Sequence, residues 1–163
     1  IKYANGVITT AGGIFLDKLK LKAPNQKFIT LPNGYDSRLM KMTKSLPKKD
    51  GFHIVYTGLL TESHNYIVLL EVIKKLSNYY SIHFTIAGNI NSEIINVIRS
   101  KIPKVDFEYL GYISHSKAIA LMKSSDLLCN FIFKEAENQM ISGKLLETVS
   151  IHPFHHKGGL KVI

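Results

Sequence analysis

Three short β-rich runs each end in glycine, and a segment of helical or cap-started character follows each one. His53-Ile54-Val55-Tyr56-Thr57-Gly58 is the first, and Ile82-His83-Phe84-Thr85-Ile86-Ala87-Gly88 is the second. Val105, Phe107 and Tyr109 alternate into a third that closes at Gly111. Tyr66, Leu69, Leu70, Ile73 and Leu76 recur at helical spacing and predict an amphipathic helix from about Asn65 to Tyr79. Ile94, Ile95, Ile98 and Ile102 give the next helical face, with Asn91 or Ser92 as its cap. Ser114 or Ser116 opens a shorter helix, and Leu127 to Ile132 reads as a fourth strand. A polar loop then leads to a last helix near Ser142 to Ser150.

Strict alternation of strand and helix leaves few folds. Parallel strands joined by right-handed crossovers place helices on both faces of one sheet. The expected class is α/β, a Rossmann-like three-layer domain with a parallel sheet. Ligands of such sheets bind outside the carboxyl ends of the strands. Those ends are Gly58, Gly88, Gly111 and the loop after Ile132. Upstream the pattern is looser. Gly6 to Thr10 is a short apolar stretch, Gly13 to Leu21 is helix-like, and Phe28 to Leu31 is a second apolar patch. Pro32-Asn33-Gly34 marks a turn, and residues 41–52 read as a basic, polar linker.

Glycine at a strand end lets backbone approach a ligand, and the following helix offers free N–H groups to phosphate. Gly58 and Gly88 both suit that task, although glycines also end strands for purely structural reasons. Neither a Gly-x-Gly-x-x-Gly fingerprint nor a phosphate loop ending in Gly-Lys-Ser/Thr is present, which argues against dinucleotide dehydrogenases and P-loop enzymes.

The charge balance narrows the partners. Lysine and arginine number 21 against 12 acidic residues, a formal charge of +9. Lysines gather at positions 18, 20, 22 and 27, and again at 41, 44, 48 and 49. Such an excess draws a domain toward phosphates, anionic lipid headgroups or nucleic acid. Zinc-finger spacing, an RNP-like aromatic motif and a basic recognition helix are all missing, so no nucleic-acid partner is expected. An anionic substrate or membrane surface ranks above it, with a lysine-rich solvated face as the plain alternative. The single cysteine, Cys129, excludes an internal disulfide and suits a reducing, cytoplasmic setting. The apolar runs are too short to cross a bilayer, and the start at Ile1 suggests a piece of a longer protein.

Taken in order, several segments resemble the family 4 (group 1) glycosyltransferases. Leu31-Pro32-Asn33-Gly34-Tyr35-Asp36 is similar to the segment at their lobe junction. Val55 to Leu60, with His64-Asn65 and Leu69-Leu70-Glu71, resembles the first strand, loop and helix of their second lobe. Phe84 to Gly88, Phe107 to Ile113 with Ser124 to Leu128, and Gly143-Lys144-Leu145-Leu146-Glu147 follow at the family's spacing. The resemblance implies one lobe of a two-lobed GT-B enzyme. Residues 1–30 would end the first lobe and form the junction, 31–150 would form the nucleotide-sugar-binding domain, and 151–163 an atypical tail.

The resemblance also implies a set of donor-binding positions. Glu147 would accept hydrogen bonds from the ribose hydroxyls, and such charge-assisted bonds contribute roughly 1.5–3 kcal/mol. Lys144 would serve the diphosphate or stand as a plain surface lysine, and the backbone at Tyr112 and Ile113 would meet the base. Gly58, Leu59, His64 and Gly88 would border the phosphates, and Asn138 with Gln139 would face the sugar. Three positions depart from the common pattern. Leu59 stands where many relatives carry arginine, Ser63-His64 lies near where they carry a lysine, and Gln139 stands where many carry glutamate. Helix N–H groups near His64-Asn65 would then take up the phosphate contacts.

The implied reaction is sugar transfer from a nucleotide diphosphate sugar to a glycan or lipid-linked acceptor, as in polysaccharide biosynthesis. Retention of configuration, no cofactor and no obligatory metal are implied, with peripheral contact at the inner membrane face. A nucleotide-sugar epimerase of the same fold and a non-catalytic nucleotide-binding domain are the alternatives. His152, His155 and His156 invite a metal reading, but Pro153 interrupts them and no carboxylate lies close in sequence.

Overall fold

The chain begins with a strand, β1 (Val7–Thr9), a ten-residue helix, α1 (Gly13–Lys22), and a second strand, β2 (Phe28–Thr30). The computed structural model describes residues 3–10, 13–131 and 143–151. The chain divides into two units, residues 1–35 with 132–147 and residues 36–131 with 148–163. In the first unit, β1 and β2 pair in parallel with Val7 opposite Phe28, Ile8 opposite Ile29 and Thr9 opposite Thr30. The Val7 N–H donates to the Lys27 carbonyl at 2.8 Å and the Leu31 N–H to the Thr9 carbonyl at 2.8 Å, which lock that register.

The second unit opens with a short helix, α2 (Ser37–Met42), followed by β3 (Phe52–Thr57) and α3 (Tyr66–Leu76). Next come β4 (Ile82–Ala87), α4 (Ser92–Lys101), β5 (Asp106–Tyr109), α5 (His115–Lys123) and β6 (Leu127–Cys129). A last helix, α6 (Gly143–Ile151), crosses the division between Glu147 and Thr148.

The sheet of the second unit runs β5-β4-β3-β6, every pair parallel. The expected α/β architecture is therefore present. β6 lies on the far side of β3 from β4, so the strand order reverses between β3 and β6. Crevices of open α/β sheets form at the carboxyl ends of such a reversal.

Alternating side chains supply both faces of the sheet. Ile54, Tyr56, Phe84 and Ile86 point to one face and pack with Leu70 and Ile73 of α3 and Ile94 and Ile98 of α4. Val55, Ala87 and Leu128 point to the other and pack with Met40 of α2 and Ile119, Leu121 and Met122 of α5. Helices thus cover both faces, giving three layers. Burying each of these large side chains contributes about 1.5–3 kcal/mol.

Helix α2 was not foreseen in a segment expected to lead into a polar linker. Its start is set by the Asp36 side chain, which accepts the Leu39 N–H at 2.8 Å. Its end is set by the Lys123 ammonium, which donates to the carbonyls of Met40 and Thr43. Asn91 caps α4 and Ser114 caps α5, each the first of the two candidates. The fourth strand is shorter than expected, ending at Cys129.

The linker between α2 and β3 is fastened across the amino ends of the strands. Lys48 pairs with Asp126 at 2.5 Å and Lys49 with Glu108 at 3.0 Å. His83 stands between the Asp106 carboxylate and the Asp50 carbonyl, 2.6 Å from each. Beside it, His53 is 2% exposed, with Nε2 2.9 Å from the Thr85 hydroxyl and no hydrogen bond at Nδ1. Burial first, and the nearby Lys49 charge second, hold the His53 imidazole below its ordinary value. His53 and His83 are strand residues, as expected. No described helix is long and apolar enough to cross a membrane.

Candidate functional site

Three strand-end glycines lie in a stitched row at the carboxyl edge of the sheet. The Gly58 N–H donates to the Ala87 carbonyl at 2.7 Å, and the Gly88 N–H donates to the Gly111 carbonyl at 2.8 Å. All three adopt positive φ, at 125°, 141° and 63°. The turn after β3 and the turn after β4 are bound once more by the Leu60 N–H on the Asn89 carbonyl at 3.2 Å. A Cβ at Gly88 would fall 2.0 Å from the Gly58 carbonyl oxygen. The close approach that Gly88 permits is therefore made to the neighbouring turn. At Gly111 a Cβ would meet nothing within 4 Å, so that glycine is required by its φ alone.

Two tyrosines beneath the row hold its carbonyls. Tyr56 donates its hydroxyl to the Leu59 carbonyl at 2.6 Å, and Tyr109 donates to the Gly88 carbonyl at 3.0 Å. Burial pushes the Tyr56 phenol up to about 12, with Cys129 adding to the shift, so it remains a donor at neutral pH. Burial likewise pushes the Cys129 thiol up to about 12, which makes it an inert packing group. Sequence reasoning did not single out Tyr56 or Tyr109. A strand tyrosine carries no mark of what its hydroxyl will reach.

Above this frame the sequence-derived positions fall into distinct settings. Leu59 is 52% exposed and Tyr112 is 91% exposed, each beside a strand-end glycine. Ile113 is half-buried against the α5 side of the core. His64 is buried, and its Nδ1 lies 3.1 Å from the Thr61 N–H and 3.0 Å from the Thr61 hydroxyl. Accepting from the backbone N–H places the proton of the neutral ring on Nε2. The ring also meets Phe131 edge-on, with centroids 6.3 Å apart, across the reversal in strand order. His64 thus braces the turn that leads into α3.

Helix α3 begins differently from its neighbours. Asn65 occupies its N-cap without a side-chain hydrogen bond, whereas Asn91 and Ser114 cap α4 and α5 with theirs. A further turn, closed by the His64 N–H on the Thr61 carbonyl at 3.1 Å, separates Gly58 from α3. The Tyr66 N–H at the helix start donates to the His64 carbonyl at 2.8 Å, leaving the next N–H groups of the first turn for a ligand. Free N–H groups and the positive end of a helix favour an anion.

The structure brings Gly58, Leu59, His64, Gly88, Tyr112 and Ile113 onto adjoining turns of the second unit. Lys144 and Glu147 lie three residues apart on α6, in the first unit, and Glu147 is half-buried. The Lys144 side chain, Asn138, Gln139 and the histidines of the tail lie outside the described residues. Among the described residues no group of three His, Cys, Asp or Glu side chains converges on a point that could hold a metal ion.

Comparisons with known proteins give a consistent answer. No curated protein sequence matches the chain. Among solved structures it resembles the pneumococcal O-GlcNAc transferase GtfA, crystallised with UDP and GlcNAc, with a TM-score of 0.60 at 13% identity. That match covers 91% of this chain and 29% of the transferase chain, so the residues here span under a third of it. At such low identity the likeness speaks for the fold. A family model described as "Glycosyl transferases group 1" matches residues 38–136, more than half of the sequence. By that match, the chain belongs to the group 1 glycosyl transferases.

Proposed function

We propose that the chain is the donor-binding part of an enzyme that moves a sugar from a nucleotide diphosphate sugar to a glycan or lipid-linked acceptor. The observation that carries this is the stitched glycine row, lying within the segment that matches the family. The diphosphate would rest against the Gly58-Leu59 turn and the uncapped start of α3, positioned by His64. The Gly88 turn would complete that wall. The base would meet the backbone at Tyr112 and Ile113. Glu147 would take the ribose hydroxyls, Lys144 the diphosphate, and Asn138 with Gln139 the sugar.

The chemistry asked of these groups is electrostatic. Cleaving the bond from the anomeric carbon to the diphosphate oxygen leaves negative charge on the leaving group. Backbone N–H groups and Lys144 would stabilise that charge, and fixed turns would orient the anomeric carbon toward the acceptor hydroxyl. Leu59 supplies no cation, which puts the weight on the backbone. Retention of configuration and independence of a metal ion belong to the same reading. So do a cytoplasmic setting, a role in polysaccharide biosynthesis, an acceptor held by a further lobe, and contact with an anionic membrane face. The UDP bound by the pneumococcal transferase makes UDP-sugars the first donors to try.

The test is label transfer from UDP-, GDP- and ADP-sugars into membrane extract, in the presence of the protein. Incorporation from one nucleotide class supports the reading. Conversion of the free sugar nucleotide into an isomer would point to an epimerase instead. Transfer needs the acceptor lobe, so the 163-residue chain alone should transfer nothing. No transfer from any donor by the full-length protein would defeat the reading.

A further inference from the structure

We propose that Phe131 is a positioning residue for the diphosphate wall, acting through Tyr56 and His64. This rests on the donor-binding reading above and adds the residue that steadies the wall on its β6 side. Tyr56 stands opposite Cys129, and that register carried on by two residues puts Phe131 level with Gly58, at the reversal in strand order. There its ring lies 5.0 Å from the Tyr56 ring, tilted by 53°, and 6.3 Å from the His64 ring, nearly edge-on. Both arrangements are of the kind in which ring pairs attract beyond simple burial.

The two side chains that Phe131 meets are the two that fix the turns between β3 and α3 from within. Tyr56 donates to the Leu59 carbonyl, and His64 Nδ1 accepts the Thr61 N–H. On the β4 side the same segment is fastened by backbone: the Leu60 N–H donates to the Asn89 carbonyl, and Leu60 bridges Ile90 in parallel. On the β6 side the fastening is aromatic. Tyr56 and His64 are buried, and half-buried Phe131 closes over them. A His64 ring that swings off Phe131 gives up the Thr61 N–H, and the start of α3 loses its fixed aim. Hydrogen bonds weaken steeply with misdirection, so a small shift of the N–H groups there costs affinity for phosphate. In the donor reading the base meets a different turn, at Tyr112 and Ile113, so the loss falls on the phosphates.

The experiment is calorimetry of UDP against UMP, with the GDP–GMP and ADP–AMP pairs alongside, on the parent chain and three variants. The gain in affinity from monophosphate to diphosphate reads the wall, and a loss of stability alone does not move it. Phe131→Ala should cut that gain roughly three- to tenfold, while monophosphate affinity stays within about twofold. Phe131→Tyr keeps the ring and should keep the gain. Phe107→Ala removes a ring that stands 5.8 Å from Phe84, and it should lower stability with the gain unchanged. Amide exchange at Thr61 and His64 should quicken in Phe131→Ala, with or without nucleotide. An unchanged gain in Phe131→Ala, or an equal fall in Phe107→Ala, would overturn the assignment. Absence of nucleotide binding by the parent would defeat the donor reading instead. Quickened exchange would then still assign Phe131 to holding the turn, and unchanged exchange would overturn that as well.

Discussion

Gly88 and Gly58 touch backbone to backbone: a Cβ on Gly88 would stand 2.0 Å from the Gly58 carbonyl oxygen. No side chain fits there without parting the turns after β3 and β4. Gly88→Ala adds that clash to the strain of φ 141° and should cost at least about 3 kcal/mol in urea unfolding. Gly111→Ala, with open space and φ 63°, should cost about 1–2 kcal/mol. Gly34→Ala, unstrained and unopposed, should stay within about 0.5 kcal/mol. A ranking in which Gly88→Ala is the mildest would refute the close approach.

Removing the Tyr56 hydroxyl probes the frame under the row. Tyr56→Phe strands the Leu59 carbonyl and should destabilise by about 1–2 kcal/mol. It should also weaken nucleotide binding severalfold, because the Gly58-Leu59 turn loses its anchor. Full affinity in a folded Tyr56→Phe protein would remove the tyrosine from the account.

Acid should loosen the fold through His53. Its folded-state value lies below the ordinary 6.5, so the unfolded chain takes up the proton first. Stability from this group is complete above about pH 6.5 and is lost as pH falls through that value, at no more than about 1.4 kcal/mol per pH unit. Asp126 extends the loss at lower pH. Its partial burial works against ionisation, but the His53 N–H and Lys48 hold its carboxyl below the ordinary 3.8. Thermal unfolding between pH 5 and 7 should show a smaller slope in His53→Gln than in the parent. Identical slopes would exclude His53 as the source.

Lys123→Met tests what ends α2. Two carbonyls lose a charged donor, so a loss of about 2 kcal/mol is expected, together with faster amide exchange at Leu39 to Thr43. Unchanged exchange there would mean that α2 holds by its own cap and by Met40.

Much of the second unit was legible in the sequence because its signals are local. Ile94 and Ile98 recur at helical spacing, Asn91 caps at once, and β3 and β4 each stop directly before a glycine. What escaped depends on partners far along the chain. Helix α2 is closed by Lys123, some eighty residues away, while its own six residues carry no long apolar period. The helix expected to reach Tyr79 stops at Leu76, where Ser77 donates its hydroxyl to the Lys74 carbonyl. The site shows the same contrast. Gly58 and Gly88 stand out as letters, but the reason Gly88 must be glycine lies thirty residues upstream. The spacing near His64 gave no sign that its Nδ1 would turn inward to Thr61.

Calorimetry with UDP, GDP and ADP, on the parent chain and on Glu147→Ala, tests the central claim most directly. One nucleotide should bind, and the substitution should weaken it by about tenfold to a hundredfold, the loss of a charge-assisted hydrogen-bond pair on the ribose. Equal affinity of parent and variant for every nucleotide bound, or no binding at all, would contradict the assignment of this chain as the donor-binding part of a sugar transferase.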